Sequence, residues 1–140
     1  MANGKVKLHG PEAFEGMRAA GRLAAEVLDM ITPHVVPGVT TGELDRLCDE
    51  YIRDHNSISA CLNYRGFPKS ICTSINHVVC HGIPGDKKLQ NGDIMNIDVT
   101  VIVDGWYGDT SRMYIAGTPK VMAQRLVDVT YEALWRGINA

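Results

Sequence analysis

The chain has 140 residues, with 14 lysines and arginines against 16 aspartates and glutamates and a formal charge of −2. That near-neutral balance, with no basic cluster beyond Lys87-Lys88, excludes a nucleic-acid or anionic-membrane surface as the main partner. Hydrophobic residues at 45% and charged residues at 21% describe one soluble globular domain over 1–140; no apolar run is long enough to span a membrane, and Met1 to Lys7 carry no apolar signal core.

The first predicted element is a helix over 11–34. Pro11 suits its first position, and Glu12 and Glu15 complement the positive end of its dipole. Ala13, Met17, Ala20, Ala24, Leu28 and Ile31 recur every three or four residues as a core-facing stripe, and Pro33 and Pro37-Gly38 end it. Thr40-Thr41-Gly42-Glu43 reads as a capping box, with Thr40 as cap and Glu43 reaching back. Leu44, Leu47, Cys48, Tyr51 and Ile52 form the apolar side of the helix that follows, ending near His55.

Beyond Asn56 the character turns to short β-rich pieces at 57–63, 70–74 and 77–80, broken by Arg65-Gly66-Phe67-Pro68 and Gly82-Ile83-Pro84-Gly85. Asn91-Gly92 then turns the chain into a long hairpin over 94–111. Its Asp104-Gly105 pair suits a type I′ turn, whose two central residues both need positive φ. A two-residue loop sets Val103 opposite Trp106, Thr100 opposite Asp109 and Asp98 opposite Ser111. Asp98 and Asp109 then share one face as diagonal neighbours, within mutual reach. Two carboxylates meeting in an otherwise apolar, β-branched ribbon either share a proton or hold a cation. Taken singly, an aspartate in a strand also serves as a solvent-facing or turn-capping residue. Gly117-Thr118-Pro119 then starts a third helix, with Val127, Tyr131, Leu134, Trp135 and Ile138 on its apolar side. It meets Ala140 without a stop signal, so a fragment, or another chain covering this end, is expected. The order of elements predicts an α+β domain, an antiparallel sheet with helices packed on one face.

The four cysteines, Cys48, Cys61, Cys72 and Cys80, make no Cys-x-x-Cys pair, which argues against a zinc knuckle or redox motif and for a reducing cytoplasm. Cys48 falls on a helical apolar stripe. Cys61 and Cys72 also read as ordinary core thiols, Tyr64 as a loop aromatic, His81 as a loop histidine bonding a carbonyl, and Asn76 and Thr100 as structural hydrogen-bonders.

Taken together, Cys61-Leu62-Asn63-Tyr64, Pro68-Lys69-Ser70-Ile71-Cys72, Ser74-Ile75-Asn76, Val79-Cys80-His81-Gly82-Ile83-Pro84, Gly92 to Val99 and Gly108-Asp109-Thr110-Ser111 closely resemble the type I methionine aminopeptidases, from Pro11 to Ala140. Creatinase and prolidase relatives share the fold and hairpin but fit the Cys61–Tyr64 and His81–Pro84 loops less well. The resemblance implies half of a pita-bread fold, in which two similar α+β halves enclose two divalent metal ions (Co, Mn, Fe or Zn), and removal of the initiator methionine from nascent cytoplasmic proteins. By position it implies Asp98 and Asp109 as metal ligands, His81 as the catalytic histidine contacting substrate near the scissile peptide, and Cys61, Tyr64 and Cys72 as the lining of the methionine pocket. The implied partners are N-terminal methionyl peptides and the ribosome, with neither nucleic acid nor membrane.

The family completes its site with a histidine and two glutamates from the second half, and no residue here matches them; His34, His55 and His77 do not. Little peptidase activity is therefore expected of these 140 residues alone, and self-association through exposed edges is expected. The competing function is a non-catalytic half-domain that binds a peptide or protein partner. A calcium site is disfavoured, because the acidic density of a calcium loop is missing.

Overall fold

A computed structural model describes residues 6–140. Residues 1–5, part of the stretch read above for a signal core, lie outside the described residues.

The first helix, α1, spans Pro11–Ile31 and opens with Pro11 in its first turn. Its buried stripe is Ala13, Ala20, Leu23, Ala24, Val27, Leu28 and Ile31. Met17, expected on that stripe, is instead half exposed at 50%. The helix stops at Ile31 rather than 34, and Thr32–His34 tighten into a 3₁₀ turn. Pro33 has no N–H to extend the α-helical ladder.

The second helix, α2, spans Thr41–Asp54, and the Thr40 hydroxyl accepts from the Glu43 N–H at 3.1 Å. Half of the expected capping box forms. The Glu43 carboxylate does not reach back but pairs with Arg46, whose Nε donates to it at 2.8 Å. A guanidinium fork one turn along is a stronger partner than a neutral amide. Leu44, Cys48 and Ile52 are fully buried, with Leu47 and Tyr51 packed at the edge of the core.

Three of the four strands are shorter or longer than the sequence pattern suggests. β1 is only Ile58–Ser59, β2 is Cys72–Ile75, β3 is Ile94–Val103 and β4 is Trp106–Ile115. No strand forms over 77–80. Asn76 takes a left-handed φ of 53° and turns the chain out of the sheet, leaving Val79 and Cys80 exposed. All pairings are antiparallel. β3 is central: β4 covers one edge along its whole length, while β2 pairs with residues 95–98 of the other edge and β1 with residues 101–102.

The hairpin turn is as expected, with Asp104 at φ 48° and Gly105 at φ 83°. The register is Val103 to Trp106, Thr100 to Asp109 and Asp98 to Ser111.

The two faces of the hairpin differ. Ile97, Val99 and Val101 are fully buried on the face that packs on α1, and their β4 partners lie on the same face. On β4 the Tyr114 hydroxyl donates to the Leu28 carbonyl at 2.6 Å and Arg112 pairs with Asp29 at 2.7 Å. Each fully buried branched side chain contributes about 1.5–3 kcal/mol, so this helix-facing layer holds the domain together. Asn96, Asp98, Thr100 and Ile102 alternate onto the opposite face, which neither α1 nor α2 covers.

The last helix, α3, spans Val121–Ile138 and corrects the expectation that every helix packs on the sheet. It contributes no buried residue, and Leu126, Tyr131, Leu134, Trp135 and Ile138 are exposed. The domain core is complete without it.

Candidate active site on the uncovered sheet face

Strand alternation and register assemble the polar residues of the uncovered face. Cys72, Asp98 and Ser111 are cross-strand neighbours in one row, and Thr100 with Asp109 forms the next. Asp98 and Asp109 therefore stand on one side of the ribbon. Asp98 is half-buried, while Asp109 is exposed. The Asp98 carboxyl is held above the ordinary carboxylate range by burial first and by the neighbouring Asp109 second, with His81 acting in the opposite direction. Two hard oxygen donors pressed together in this way suit a divalent cation, which would relieve their repulsion. Among the described residues, no group of three or more His, Cys, Asp or Glu side chains gathers as a metal cage. The chemistry of the donors fits a cation; their number fits only part of a coordination sphere.

The thiols lie beside the carboxylates. Cys61 is half-buried and Cys72 buried, and all four cysteines are free. The Cys61 thiol is pulled down to about 7, chiefly by its hydrogen bond with Cys72, against the opposing effect of burial and with help from Thr100. The Cys72 thiol is pushed up by the same partner and by burial, so Cys61 ionises first. Cys48, buried in the helix layer, is pushed up to about 12 by desolvation.

Cys61, Tyr64, Phe67, Pro68, His81 and Ile83 line a cleft of about 550 Å³. Cys72 is not part of that lining; it sits in β2 opposite Asp98. The wall carrying Tyr64 is a 3₁₀ turn, Tyr64–Gly66, in which Asn63 and Arg65 take left-handed φ values of 66° and 49°. Non-glycine residues in that region carry a conformational cost that surrounding contacts must offset. Here the Asn63 N–H donates to the Phe67 carbonyl at 2.8 Å, and the Arg65 guanidinium lies 5.4 Å from the Tyr64 ring centre.

His81 is exposed and also left-handed, with φ 54°. Its loop is clamped at both ends. Gly82 donates to the Ser74 hydroxyl at 3.2 Å and accepts from the Thr73 N–H at 2.8 Å. Gly85 donates to the Thr41 hydroxyl at 2.9 Å and accepts from the Gly42 N–H at 2.8 Å. A Cβ at Gly82 would run into the Thr73 carbonyl, so glycine is what lets the loop lie against β2.

The structure thus gathers Cys61, Cys72, Asp98 and Asp109 on one face, with Tyr64 and His81 on the adjoining cleft. Sequence reasoning gave Thr100 only a structural part, yet it stands opposite Asp109 and helps to lower the pKa of the Cys61 thiol. Its parity with Asp98 along β3 was the available signal. Ser59, whose hydroxyl organises the Cys61 turn, left no signal in the sequence pattern.

Comparison with known proteins adds an independent line. Residues 15–140 match the model of metallopeptidase family M24. Methionine aminopeptidase of Rickettsia prowazekii (strain Madrid E) is 65% identical over 134 residues, covering 96% of this chain and 52% of that protein. A crystal structure of methionine aminopeptidase from the same organism superposes with a TM-score of 0.93 at 64% identity, covering 96% of this chain and 54% of the other. An Xaa-Pro dipeptidase from Bacillus anthracis, at 18% identity and a TM-score of 0.77, covering 91% of this chain and 35% of the other, shares the fold. The chain spans about half the length of the two methionine aminopeptidases, and its sheet and helices correspond to half of a pita-bread fold.

Proposed function

The chain belongs to metallopeptidase family M24, and from that premise we propose that, as one domain, it provides the N-terminal half of a metal-dependent aminopeptidase that removes the initiator methionine from nascent proteins. The observation that carries the reading is the convergence of Asp98 and Asp109 on the uncovered face, beside the Cys61–Cys72 thiols.

In this reading Asp98 and Asp109 are the metal-holding residues, and a pair of divalent ions (Co, Mn, Fe or Zn) supplies electrophilic activation of water and of the peptide carbonyl at neutral pH. His81 stands at the cleft to hydrogen-bond the substrate and the charge that develops on its carbonyl oxygen. Cys61 and Tyr64, which line the cleft, receive the methionine side chain, with Cys72 beside Cys61 outside that lining: polarizable sulfur and an aromatic edge suit an unbranched thioether. The strained, clamped loops hold these groups in place before substrate arrives, so little ordering remains to be done on binding. Two carboxylates alone hold a cation loosely, so this chain by itself turns over slowly. The same proposal makes N-terminal methionyl peptides emerging from the ribosome the substrate and a reducing cytoplasm the compartment. Among the described residues no helix is long and apolar enough to cross a membrane.

Calorimetric titration with Mn or Co tests the metal reading. Binding by the parent, lost in both Asp98→Ala and Asp109→Ala, is expected; equal heats in all three proteins would overturn it. Hydrolysis of a methionyl peptide at the rate of a full-length relative would overturn the low-activity proposal.

The exposed apolar residues of α3 support a second reading, in which the half-domain docks on another surface or on a second copy of itself. Sedimentation at increasing concentration is expected to reveal a dimer, and a monomer throughout would remove self-association.

A further inference from the structure

Two short segments carry the site thiols, and they are built alike: Ser59-Ala60-Cys61 and Ser70-Ile71-Cys72. Each cysteine lies two residues beyond a serine, and the two serines are bonded to each other. The Ser59 hydroxyl donates to the Ser70 carbonyl at 2.6 Å and accepts from the backbone N–H groups of Cys61 at 3.1 Å and Leu62 at 3.3 Å. One hydroxyl therefore ties the Cys61 turn to the strand leading into Cys72.

The far end of this tie is anchored in the helix layer. The carboxylate of Asp45, in α2 and only 7% exposed, accepts from the Ser70 N–H at 2.8 Å and the Ile71 N–H at 3.0 Å. The Ser70 hydroxyl donates to Asp49, one turn along, at 2.6 Å. The start of β2 is thus referenced to the helix layer, and Ser59 extends that reference to the cleft wall. The backbone link just before the turn is Ala60 N–H to the Thr100 carbonyl at 2.9 Å, and at residues 61–62 the Ser59 hydroxyl is the acceptor.

We propose that Ser59 is a positioning residue that sets the separation of the Cys61 and Cys72 thiols, and so where Cys61 stands in the wall of the side-chain cleft, with Asp45 as its anchor. Ser59 touches no substrate; it acts through the backbone of Cys61. The proposal rests on the reading that Cys61 lines the side-chain pocket with Cys72 as its neighbour. Without the hydroxyl, the Ser70 carbonyl loses a donor and the Cys61 and Leu62 N–H groups lose their acceptor, so the turn is free to drift from β2.

Dibromobimane, which joins two neighbouring thiols with loss of two bromides, reads the separation directly, and mass spectrometry of the digested 140-residue chain identifies the joined pair. Ser59→Thr keeps the hydroxyl and is expected to bridge Cys61 to Cys72 at the parental rate. Ser59→Val, the same shape without the hydroxyl, is expected to bridge at least tenfold more slowly, while single alkylation of Cys80 is unchanged. Should Ser59→Val lose cooperative unfolding, Ser59→Ala is scored on the same readout with the same expectation. Equal bridging in the hydroxyl-free variant and the parent would overturn the positioning role alone. Absence of a Cys61–Cys72 adduct in the parent would overturn the reading of the two thiols as neighbours and the proposal with it.

Discussion

Gly108 of β4 packs directly on the backbone carbonyl of Ala20 in α1, with no room for a Cβ between them. This contact seats the hairpin on the helix layer, and strand alternation then turns the next residue, Asp109, to the opposite face. Gly108→Ala is expected to destabilise the protein by about 1–3 kcal/mol or more through overpacking. Gly21, the next residue along α1 from Ala20, has open space around its Cα. Gly21→Ala should stabilise by about 0.5–1 kcal/mol. Urea unfolding midpoints of the two variants, moving in opposite directions, check both.

The raised pKa of Asp98 has a definite sign. The folded protein keeps this proton to higher pH than the unfolded chain, so the group's contribution is fully present below the unfolded value of about 3.9 and is lost as pH rises through the folded value. In metal-free buffer Asp98→Asn should therefore unfold at a higher temperature than the parent at pH 7. The difference should shrink as pH falls toward 3.5. A parent that is the more stable protein at pH 7 would contradict it.

Divalent metal should reverse that order. Mn at ten times its dissociation constant stabilises a protein it binds by about 1.4 kcal/mol. The parent's melting temperature should rise with added Mn, whereas Asp109→Asn should show no shift and EDTA should restore the parent's original value.

Asp45 is a buried acceptor for two backbone N–H groups. Asp45→Ala leaves both without a partner, at about 1–3 kcal/mol each. Asp45→Asn keeps an acceptor oxygen and should recover part of the loss in chemical denaturation.

Thiol reactivity should separate the cysteines. Cys61, brought down to about 7 by its bond with Cys72, is expected to react with iodoacetamide at a rate whose midpoint lies near pH 7. Cys48, buried and pushed up to about 12, should stay unmodified in the folded protein. Mass mapping after timed alkylation distinguishes them.

Much of the local structure was legible in the residues themselves. Asp104-Gly105 specifies a turn that most residue pairs cannot form, and a two-residue turn leaves one register for the arms, so the diagonal placement of Asp98 and Asp109 followed from counting. Thr40 before an apolar stripe marked the start of α2 for a similarly local reason. Some misses were local, as where Glu43 pairs with Arg46 one turn along, and others were not. Residues 77–80 have a β-rich composition, yet Asn76 leads them away from the sheet. Val121 to Ile138 has helical apolar spacing, but spacing does not say whether anything covers it.

The sequence by itself determined the hairpin, its register, the starts of α1 and α2 and the family resemblance, because each depends on neighbours in the chain or on a motif read in order. Only the tertiary structure decided that Asp98 is half-buried while Asp109 is open, that Ser59 and Asp45 tie together two distant cysteine segments, and that α3 buries no side chain. Burial and long-range hydrogen bonds depend on which segments meet across the fold, and the order of residues along the chain does not fix those meetings.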